Sequence, residues 1–478
     1  MPAPSEAPAT LNVISYNCLG LKYISHYRRE RLAEIGRKLA LASPIPEIVG
    51  LQECWTQEDY QSIRTQTKHI LPYGKYYYSG IFGGGLVILS KWPIVESSMV
   101  RYPLNGRPTA FFRGDWFVGK GVACARIRIG PRPADVAEVF CTHLHAPYES
   151  EPSDSYLCHR TAQAWEIAKL MRGAAERGHL VLGLGDFNMV PLSFAHRLVT
   201  GYASVRDAWR VLHPESSIGP ATDDLERKRG REIPTAGYNL SENGATCDGV
   251  LNTWRWSKEQ QKKQYNGDSI IVDDTTKDLR AKRLDYIFVG DCDYLHSPSN
   301  NTWQVQDIKV GMTERHPLIG CSLSDHFSVE ATLSRGRNPA GSRCDTNQVG
   351  PGIATTGQID VDSLSVSTYD TILSMIDAYT RRERHQRHFR LSNFGISIFV
   401  AVGCFTGIWW SPRPFVAFLL ILLSTLGFGA GVLDGLIGGL FIGSEIRALK
   451  EFEWEIRNAK DMAEERRRAD QEEVEKER

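Results

Sequence analysis

The stretch His179-Leu-Val-Leu-Gly-Leu-Gly-Asp-Phe-Asn188 decides the fold of this chain. Its apolar run predicts a buried strand, Gly183 and Gly185 loosen the end of that strand, and Asp186 and Asn188 follow at once. Because side chains alternate along a strand, both polar side chains point to the same side at its terminus. A strand ending in an ordinary turn would explain this motif if it stood alone. Similar polar endings on other strands give it a functional interpretation.

Several other predicted strands also carry polar side chains at their ends. Residues 11–17 and 47–53 end in an amide and a carboxylate, and residues 136–142 are followed by a histidine. A strand from residue 282 carries an aspartate, and an Asp-His pair precedes the last strand, which ends at residue 333. The full set is Asn17, Glu53, His143, Asp186, Asn188, Asp285, Asp325 and His326.

These residue types together favour a metal-assisted reaction on a phosphate. Carboxylates are hard ligands for a magnesium-like ion, histidines transfer protons, and amides orient a phosphate. Each residue also has a structural explanation: Asn17 could cap a turn, and Asp285 could pair with Lys282 or Arg283. Lys91 follows a glycine turn and is a candidate phosphate contact, although an exposed lysine is as often simply solvated. The glycines before it lack the spacing of a phosphate-binding Walker loop.

The composition excludes some classes of protein. Lys+Arg and Asp+Glu balance at 56 each, so no net charge points to nucleic acid as a partner. The 10 cysteines are scattered without a Cys-x-x-Cys pair, which indicates reduced thiols in the cytosol. We expect residues 1–10 to be disordered; they do not form a signal peptide. The catalytic domain, residues 11–334, is therefore expected on the cytosolic side.

The C-terminal part predicts a membrane anchor. Residues 335–368 are Gly-, Ser- and Thr-rich, as in a flexible linker, and residues 369–390 form an amphipathic helix that ends in a basic run. Residues 391–410 and 415–443 are each long and apolar enough to span a bilayer. Residues 444–478 predict a charged cytosolic helix. Basic residues on both flanks place the open end of this transmembrane hairpin in the cytosol.

A glycine stripe on the second span has two interpretations. Gly427, Gly431, Gly435, Gly439 and Gly443 recur every four residues and so share one face of the helix. The stripe packs either against the first span within the hairpin or against a second subunit, which would make a homodimer. Asp434 lies beside it, near the cytosolic interface.

The chain resembles the magnesium-dependent endonuclease/exonuclease/phosphatase superfamily, which has the DNase I-like fold, over roughly residues 10–334. The matching motifs are Tyr16-Asn17, Leu51-Gln-Glu53, Thr142-His143, Gly185-Asp-Phe-Asn188, Leu284-Asp285-Tyr and Ser324-Asp-His326. Within it, the chain is similar to the neutral sphingomyelinases and, more closely, to the fungal inositol phosphosphingolipid phospholipases C. That resemblance rests on residues 84–94 and 142–148, on Thr246-Cys-Asp248, on Leu251-Asn-Thr-Trp254 and on the membrane hairpin.

The resemblance implies a fold and a set of roles. The fold is α/β, a four-layered sandwich of two sheets with helices outside, carrying a C-terminal two-helix transmembrane hairpin. Mg²⁺ would be held by Glu53, with Asn17 and Asp325. The implied catalytic residues are His326 as the base, oriented by Asp285, then Asp186 and Asn188 for water and phosphate, and His143 for the developing charge or the leaving group. Asp186 competes with His326 for the role of base.

The resemblance also implies a function: a membrane-bound phospholipase C that releases ceramide and an inositol-phosphate head group. The alternatives are a neutral sphingomyelinase, a nuclease or inositol-phosphate phosphatase of the same fold, and an inactive scaffold. The polar insertion at residues 213–280 is expected to wall the head-group pocket. The basic run at residues 381–390 predicts stimulation by an anionic phospholipid such as phosphatidylserine. The endoplasmic reticulum is favoured over the mitochondrial membrane as the location.

Overall fold

A computed structural model describes residues 6–149, 154–265, 270–291, 302–336 and 364–477. Most of the predicted linker, together with residues 1–5 of the predicted N-terminal tail, lies outside these described residues. The catalytic domain contains the strands β1 (Thr10–Asn17), β2 (Ile48–Gln52), β3 (Tyr73–Tyr77), β4 (Leu86–Ser90), β5 (Ile94–Arg101), β6 (Gly121–Arg128), β7 (Val136–His143), β8 (Leu180–Asp186), β9 (Arg206–Asp207), β10 (Asp285–Gly290), β11 (Thr302–Gly311) and β12 (Ser328–Gly336).

The strands form two six-stranded sheets, in the orders β11-β12-β1-β2-β4-β3 and β5-β6-β7-β8-β10-β9. In each sheet one central pair is parallel: β1 with β2, and β7 with β8. Parallel pairs bring their carboxyl ends to the same edge of a sheet. The helices of this domain are α1 (Arg28–Ala40), α2 (Gln57–Thr67), α3 (Asp115–Val118), α4 (Leu157–Glu176), α5 (Phe194–Ala203), α6 (Ala208–Leu212), α7 (Asp224–Arg227), α8 (Ala236–Ser241) and α9 (Lys258–Tyr265).

Side-chain alternation in β8 separates two of the apolar layers. Leu180, Leu182 and Leu184 are buried between the two sheets, whereas Val181 faces the layer of α4 and α5. A third cluster packs α1 and α2 on the outer face of the other sheet. Helix, sheet, sheet and helix therefore make four layers, and the predicted DNase I-like sandwich is confirmed.

Gly185 does not loosen the end of β8, as the sequence suggested, but lies within the strand. Its φ is +154°, and a Cβ atom there would lie 2.1 Å from the carbonyl oxygen of Thr142 on β7. Only glycine allows this close approach of two backbones. The strand consequently continues to Asp186, which pairs in register with His143.

The C-terminal part consists of long helices. They are α10 (Val366–Ile408), α11 (Pro414–Leu436) and α12 (Ile442–Glu477), with a π-helical turn at Ile437–Phe441 between the last two. The predicted basic helix and the first span are thus one continuous helix. Two of the helices are long and apolar enough to cross a membrane, a finding that rests on length and composition. Both are compatible with membrane anchoring.

The hairpin is closed by the middle of the glycine stripe. A Cβ atom on Gly431 would meet Ser397 at 1.9 Å, and one on Gly435 would meet Phe394 at 2.9 Å. Asp434 pairs with Arg390 of the first helix. This packing supports the interpretation that the stripe serves the hairpin, and the homodimer stays a prediction.

The charged terminal helix docks on the catalytic domain. Its thin apolar stripe, including Leu449 and Ile456, joins the cluster around α4. Glu455 accepts hydrogen bonds from Trp165 Nε1 and Lys169 Nζ, at 2.8 and 2.6 Å for its Oε2 atom. The hairpin and the sandwich are therefore packed together through α4 and not joined by the linker alone.

Candidate active site

Three of the predicted site residues form one row across the second sheet. His143 ends β7, Asp186 ends β8 and Asp285 begins β10, and the strand registers pair His143 with Asp186 and Asp186 with Asp285. The Nε2 atom of His143 lies 3.5 Å from Oδ2 of Asp186. Asn188 donates its backbone N–H to Asp186 and its side-chain amide to Leu144 O, at 2.9 and 3.0 Å.

The first sheet delivers two further groups to the same place. Asn17 at the end of β1 donates its amide to Oε1 of Glu53 at 3.3 Å and to Oδ2 of Asp186 at 3.1 Å. The amide thereby joins the edges of the two sheets. Both Glu53 and Asn188 have positive φ values, 54° and 46°, which non-glycine residues rarely adopt. Such backbone conformations are often found where side chains are aimed at a functional site.

His326 is held by a buried carboxylate. Its Nδ1 lies 2.7 Å from Oδ2 of Asp285, and its Nε2 lies 3.7 Å from Oδ2 of Asp186. Thr246, from the polar insertion, also donates to Asp285 Oδ2 at 2.6 Å. The insertion is thus partly buried and reaches the site. Asp325 directly precedes His326, and its Oδ1 accepts a hydrogen bond from Ser324 Oγ at 3.4 Å.

Burial and neighbouring charges shift the pKa values of several residues in this cluster. Burial and the charge of Asp325 raise the pKa of Glu53, and burial raises the pKa of Asp186 despite the opposing effect of His326. Burial disfavours protonated His326, but the charge of Asp285 outweighs it and raises the pKa of His326 well above its usual value. Burial and the nearby Lys120 hold the pKa of His143 well below its usual range. His143 is therefore neutral at physiological pH.

The residues present fit a divalent cation. Among the described residues, the Glu53 Oε2 and Asp285 Oδ1 atoms are buried without a hydrogen-bond partner. Ligand atoms of Asp186, Asp285 and His326 all lie within 4.8 Å of one another. Crowded carboxylates with raised pKa values are stabilised by a bound cation, and oxygen ligands suit a hard ion. The donor set is therefore that of a divalent-metal site, either beside Glu53 or between Asp186 and His326.

Lys91, predicted as a phosphate contact, is not brought to this site. It pairs with Glu47 at 2.9 Å, and its backbone N–H donates to Glu47 O at the start of β2. Glu53 lies at the other end of that strand, about 20 Å away at ~3.3 Å per residue. The prediction is corrected by this position, because a side chain at the opposite edge of the sheet cannot reach the cluster.

The cation at the site is Lys120, which the sequence reasoning missed. Its Nζ donates to the carbonyl oxygens of His143 and Leu144 at 3.3 and 3.2 Å, and it lies 3.6 Å from Asp115. The available signal was a lysine between two glycines directly before the buried strand β6. Two further cations lie beside the site, Arg255 in the insertion and Lys282 just after it; both pair with Asp248, Arg255 at 2.5 Å and Lys282 at 2.8 Å.

Comparison with known proteins agrees with this geometry. The model of the Endonuclease/Exonuclease/phosphatase family matches residues 14–326. An inositol phosphosphingolipids phospholipase C of Schizosaccharomyces pombe is 38% identical over 95% of this chain and 95% of its own length. The protein of the same name from Saccharomyces cerevisiae is 32% identical over 94% and 90%. A putative neutral sphingomyelinase of Caenorhabditis elegans is 40% identical over 64% and 62%.

A solved structure also resembles the chain. The sphingomyelinase C of Streptomyces griseocarneus is 18% identical, with a TM-score of 0.42 over 68% of this chain and 99% of that one.

Proposed function

Since this chain belongs to the Endonuclease/Exonuclease/phosphatase family and is a phosphodiesterase of the phospholipase C and sphingomyelinase type, we propose that it hydrolyses inositol phosphosphingolipids to ceramide and an inositol-phosphate head group. The observation that carries the proposal is the convergence of Glu53, Asp186 and the Asp285–His326 pair at one edge of both sheets. This is the donor set that metal-assisted phosphodiester hydrolysis requires.

The proposed cation is Mg²⁺, held by Glu53 with Asn17 and Asp325. When bound it would neutralise charge on the phosphate and on the surrounding carboxylates, which also favours the neutral, basic form of His326. The buried Glu53 Oε2 atom, which lacks a hydrogen-bond partner among the described residues, supports this assignment. A cation at the alternative position, between Asp186 and His326, would occupy Nε2 of His326, the atom that is proposed to take the proton of the water.

The protein groups have distinct proposed roles. Asp285 fixes Nδ1 of His326 at 2.7 Å, so that Nε2 takes the proton of the attacking water. Asp186 and Asn188 orient the water and the phosphate. Neutral His143 donates a hydrogen bond to the charge that develops on the phosphoryl oxygens, and Lys120 adds a positive charge beside it. The water oxygen bonds to phosphorus, the bond from phosphorus to the ceramide oxygen breaks, and that oxygen takes up a proton.

The insertion supports a head group larger than choline. Arg255 and Lys282 meet at Asp248, next to the short strand pairing of Cys247 with His326. Cations at this position would bind a phosphorylated or hydroxyl-rich head group through charge-assisted hydrogen bonds. Sphingomyelin is the second candidate substrate, favoured by the similarity to a putative neutral sphingomyelinase over 310 residues, 64% of this chain.

The protein is proposed to be anchored in a membrane of the endoplasmic reticulum, or alternatively of the mitochondrion, with the sandwich in the cytosol. Apolar side chains on both long helices are exposed, including Phe399, Phe415 and Phe418. Exposed Arg384 and Arg387 lie just before the first span, where they would attract an anionic phospholipid such as phosphatidylserine. A homodimer through the spans is the remaining proposal about partners.

The test uses the purified full-length chain in vesicles. We expect release of inositol phosphate from inositol phosphosphingolipid that stops with a chelator and returns with Mg²⁺, and weaker release of phosphocholine from sphingomyelin. A strong preference for sphingomyelin would replace the substrate assignment, and turnover that ignores the chelator would reject the metal. Phosphatidylserine should raise the rate for the wild type but not for the Arg384→Glu, Arg387→Glu variant.

A further inference from the structure

Two segments beside the site, residues 79–82 and 111–119, carry a run of apolar side chains that are mostly aromatic and exposed. We call this surface the aromatic ridge and define it by Ile81, Phe82, Phe111, Phe112, Trp116 and Phe117. The exposed fractions are 72% for Ile81, 56% for Phe82, 62% for Phe111 and 102% for Phe112. Contiguous apolar surface of this kind is rare on soluble proteins and marks an interaction site.

The ridge is continuous, because its rings contact one another in sequence. Ring centroids of Phe82 and Phe117 lie 6.0 Å apart, those of Phe111 and Phe117 lie 5.2 Å apart, and those of Trp116 and Phe117 lie 5.0 Å apart. Phe112 packs edge-on against Phe111. The exposed rings therefore form one surface and not scattered side chains.

The two segments are also held together by hydrogen bonds and by a close backbone contact. The backbone N–H of Phe82 donates to Phe117 O at 3.2 Å, and Ser79 donates to Gly119 O. A Cβ atom on Gly119 would lie 2.5 Å from the backbone nitrogen of Gly80, so the backbones touch. The ridge is accordingly presented as a preformed surface.

The occupant is indicated by continuity with the second span. The ring of Trp116 packs edge-on against Phe441, with centroids 5.1 Å apart. Phe441 belongs to the apolar run that ends at Gly443, at the cytosolic end of the proposed membrane hairpin. Aromatic side chains are enriched where a protein meets the bilayer interface. A surface that begins at the end of a span and exposes phenylalanines is suited to lipid.

The inner side of the same segment reaches the catalytic cluster. Asp115, next to Trp116, lies 3.1 Å from Nε2 of His145, and Lys120 donates to the carbonyl oxygens of His143 and Leu144. One short segment thus has its outer side chains on the ridge and its inner side chains on the site.

We propose that the aromatic ridge inserts into the bilayer interface and holds the mouth of the site against the membrane, so that a lipid phosphodiester enters without leaving the bilayer. The ridge helps a substrate in the bilayer to reach the site, and it does not change the rate of the chemical step. This inference rests on the proposed membrane anchoring and on the proposed lipid substrate, and it adds a second membrane contact in the catalytic domain itself.

The first experiment locates the contact without relying on activity. Full-length protein in phosphatidylcholine vesicles that contain a diazirine-labelled phospholipid is irradiated, and the labelled peptides are identified by mass spectrometry. We expect lipid adducts on the segment of residues 107–119 as well as on the two spans. Labelled spans with an unlabelled ridge would overturn the inference and leave the anchoring intact. Unlabelled spans would overturn the anchoring as well.

The second experiment distinguishes access of the lipid substrate to the site from the rate of phosphodiester hydrolysis. The variant Phe111→Ser, Phe112→Ser should lose at least about tenfold in rate on sphingolipid in vesicles, since it removes two exposed aromatic side chains that the bilayer would bury. Its rate on a water-soluble phosphodiester, bis(p-nitrophenyl) phosphate, should equal that of the wild type. The matched control is Leu41→Ser, an exposed leucine at the opposite end of the sandwich, which should leave both rates unchanged. An equal loss of rate on both substrates, or no loss of rate on vesicles, would overturn the inference. If the double variant does not fold, the single variant Phe112→Ser is used in the same test.

Discussion

The two edges of the β-sandwich carry the same residue types in opposite electrostatic states. At the amino ends of the parallel pairs, Glu47 pairs with Lys91, and Glu138 binds both Arg177 and His179. Burial opposes ionisation of Glu138, but these hydrogen bonds outweigh it and lower its pKa to about 2. At the carboxyl ends, Glu53 and Asp186 have raised pKa values. The carboxylates at the amino-terminal edge are paired with cations of the chain itself. Those at the carboxyl-terminal edge are left to be compensated by a ligand.

Functional and structural carboxylates of this protein are thus distinguished by how their charge is compensated, not by residue type. A structural carboxylate finds cations within the chain and contributes to stability. A carboxylate at the proposed metal site costs stability in the free protein and is compensated only when a cation and substrate bind.

The largest expected effect separates the two ends of β2. Replacing Glu53 with Gln should lower turnover of the lipid substrate by about 10³-fold, because a proposed metal ligand and its charge are lost. The control Glu47→Gln, at the other end of the same strand, should retain near-normal turnover. Similar rates for the two variants, measured at saturating Mg²⁺, would remove Glu53 from the proposed metal site.

The second comparison concerns the two lysines. We expect Lys120→Met to reduce kcat by about 10²-fold, since its charge lies beside His143 and the proposed phosphate position. Lys91→Met should leave kcat unchanged, because this side chain pairs with Glu47 far from the cluster. Initial rates in vesicles measure both variants. A lower kcat for Lys91→Met would restore the prediction that Lys91 contacts the phosphate.

The third prediction gives stability changes of opposite sign. In the presence of a chelator, Glu53→Gln should raise the Tm by a few degrees, because it relieves the crowding of carboxylates. Glu138→Gln should lower the Tm by a similar amount, because Arg177 and His179 lose their partner. Differential scanning calorimetry of full-length protein in detergent records both. A lower Tm for Glu53→Gln would contradict the idea of an uncompensated site.

The smallest expected effect is the pH dependence of the stability that Glu138 contributes at the amino-terminal edge. The folded-state pKa of Glu138 lies below its unfolded value, so its stabilising effect is present above pH ~4.5 and is lost as the pH falls toward about 2. The Tm difference between wild type and Glu138→Gln should therefore be constant from pH 7 to 5 and shrink below that range. A difference that grew on acidification would reverse the assigned sign.

Much of the fold and the gathering of the site could be predicted from sequence. Strand periodicity and the family motifs predicted the sandwich, and polar residues at strand ends predicted that Asn17, Glu53, His143, Asp186, Asp285 and His326 would lie together. Parallel pairing explains this success, because it carries the ends of sequence-distant strands to one edge.

The missed features depend on contacts that no local pattern encodes. Lys91 follows the antiparallel strand β4, which runs back to the amino-terminal edge, and strand direction was not predictable from its residues. Lys120 lies in a loop that only tertiary packing brings beneath His143. The apolar stripe containing Leu449 and Ile456 was visible in the sequence, but its partner, α4, was not.

We infer that the carboxyl-terminal edge of the sandwich uses water to break the phosphorus–oxygen bond to ceramide. The direct test is hydrolysis of inositol phosphosphingolipid in ¹⁸O-labelled water with Mg²⁺, followed by mass spectrometry of both products. We expect ¹⁸O in the inositol phosphate, none in ceramide, and release of labelled product that is about 10³-fold slower with Glu53→Gln. Label in the ceramide, or labelled inositol phosphate from the Glu53 variant at the wild-type rate, would contradict it.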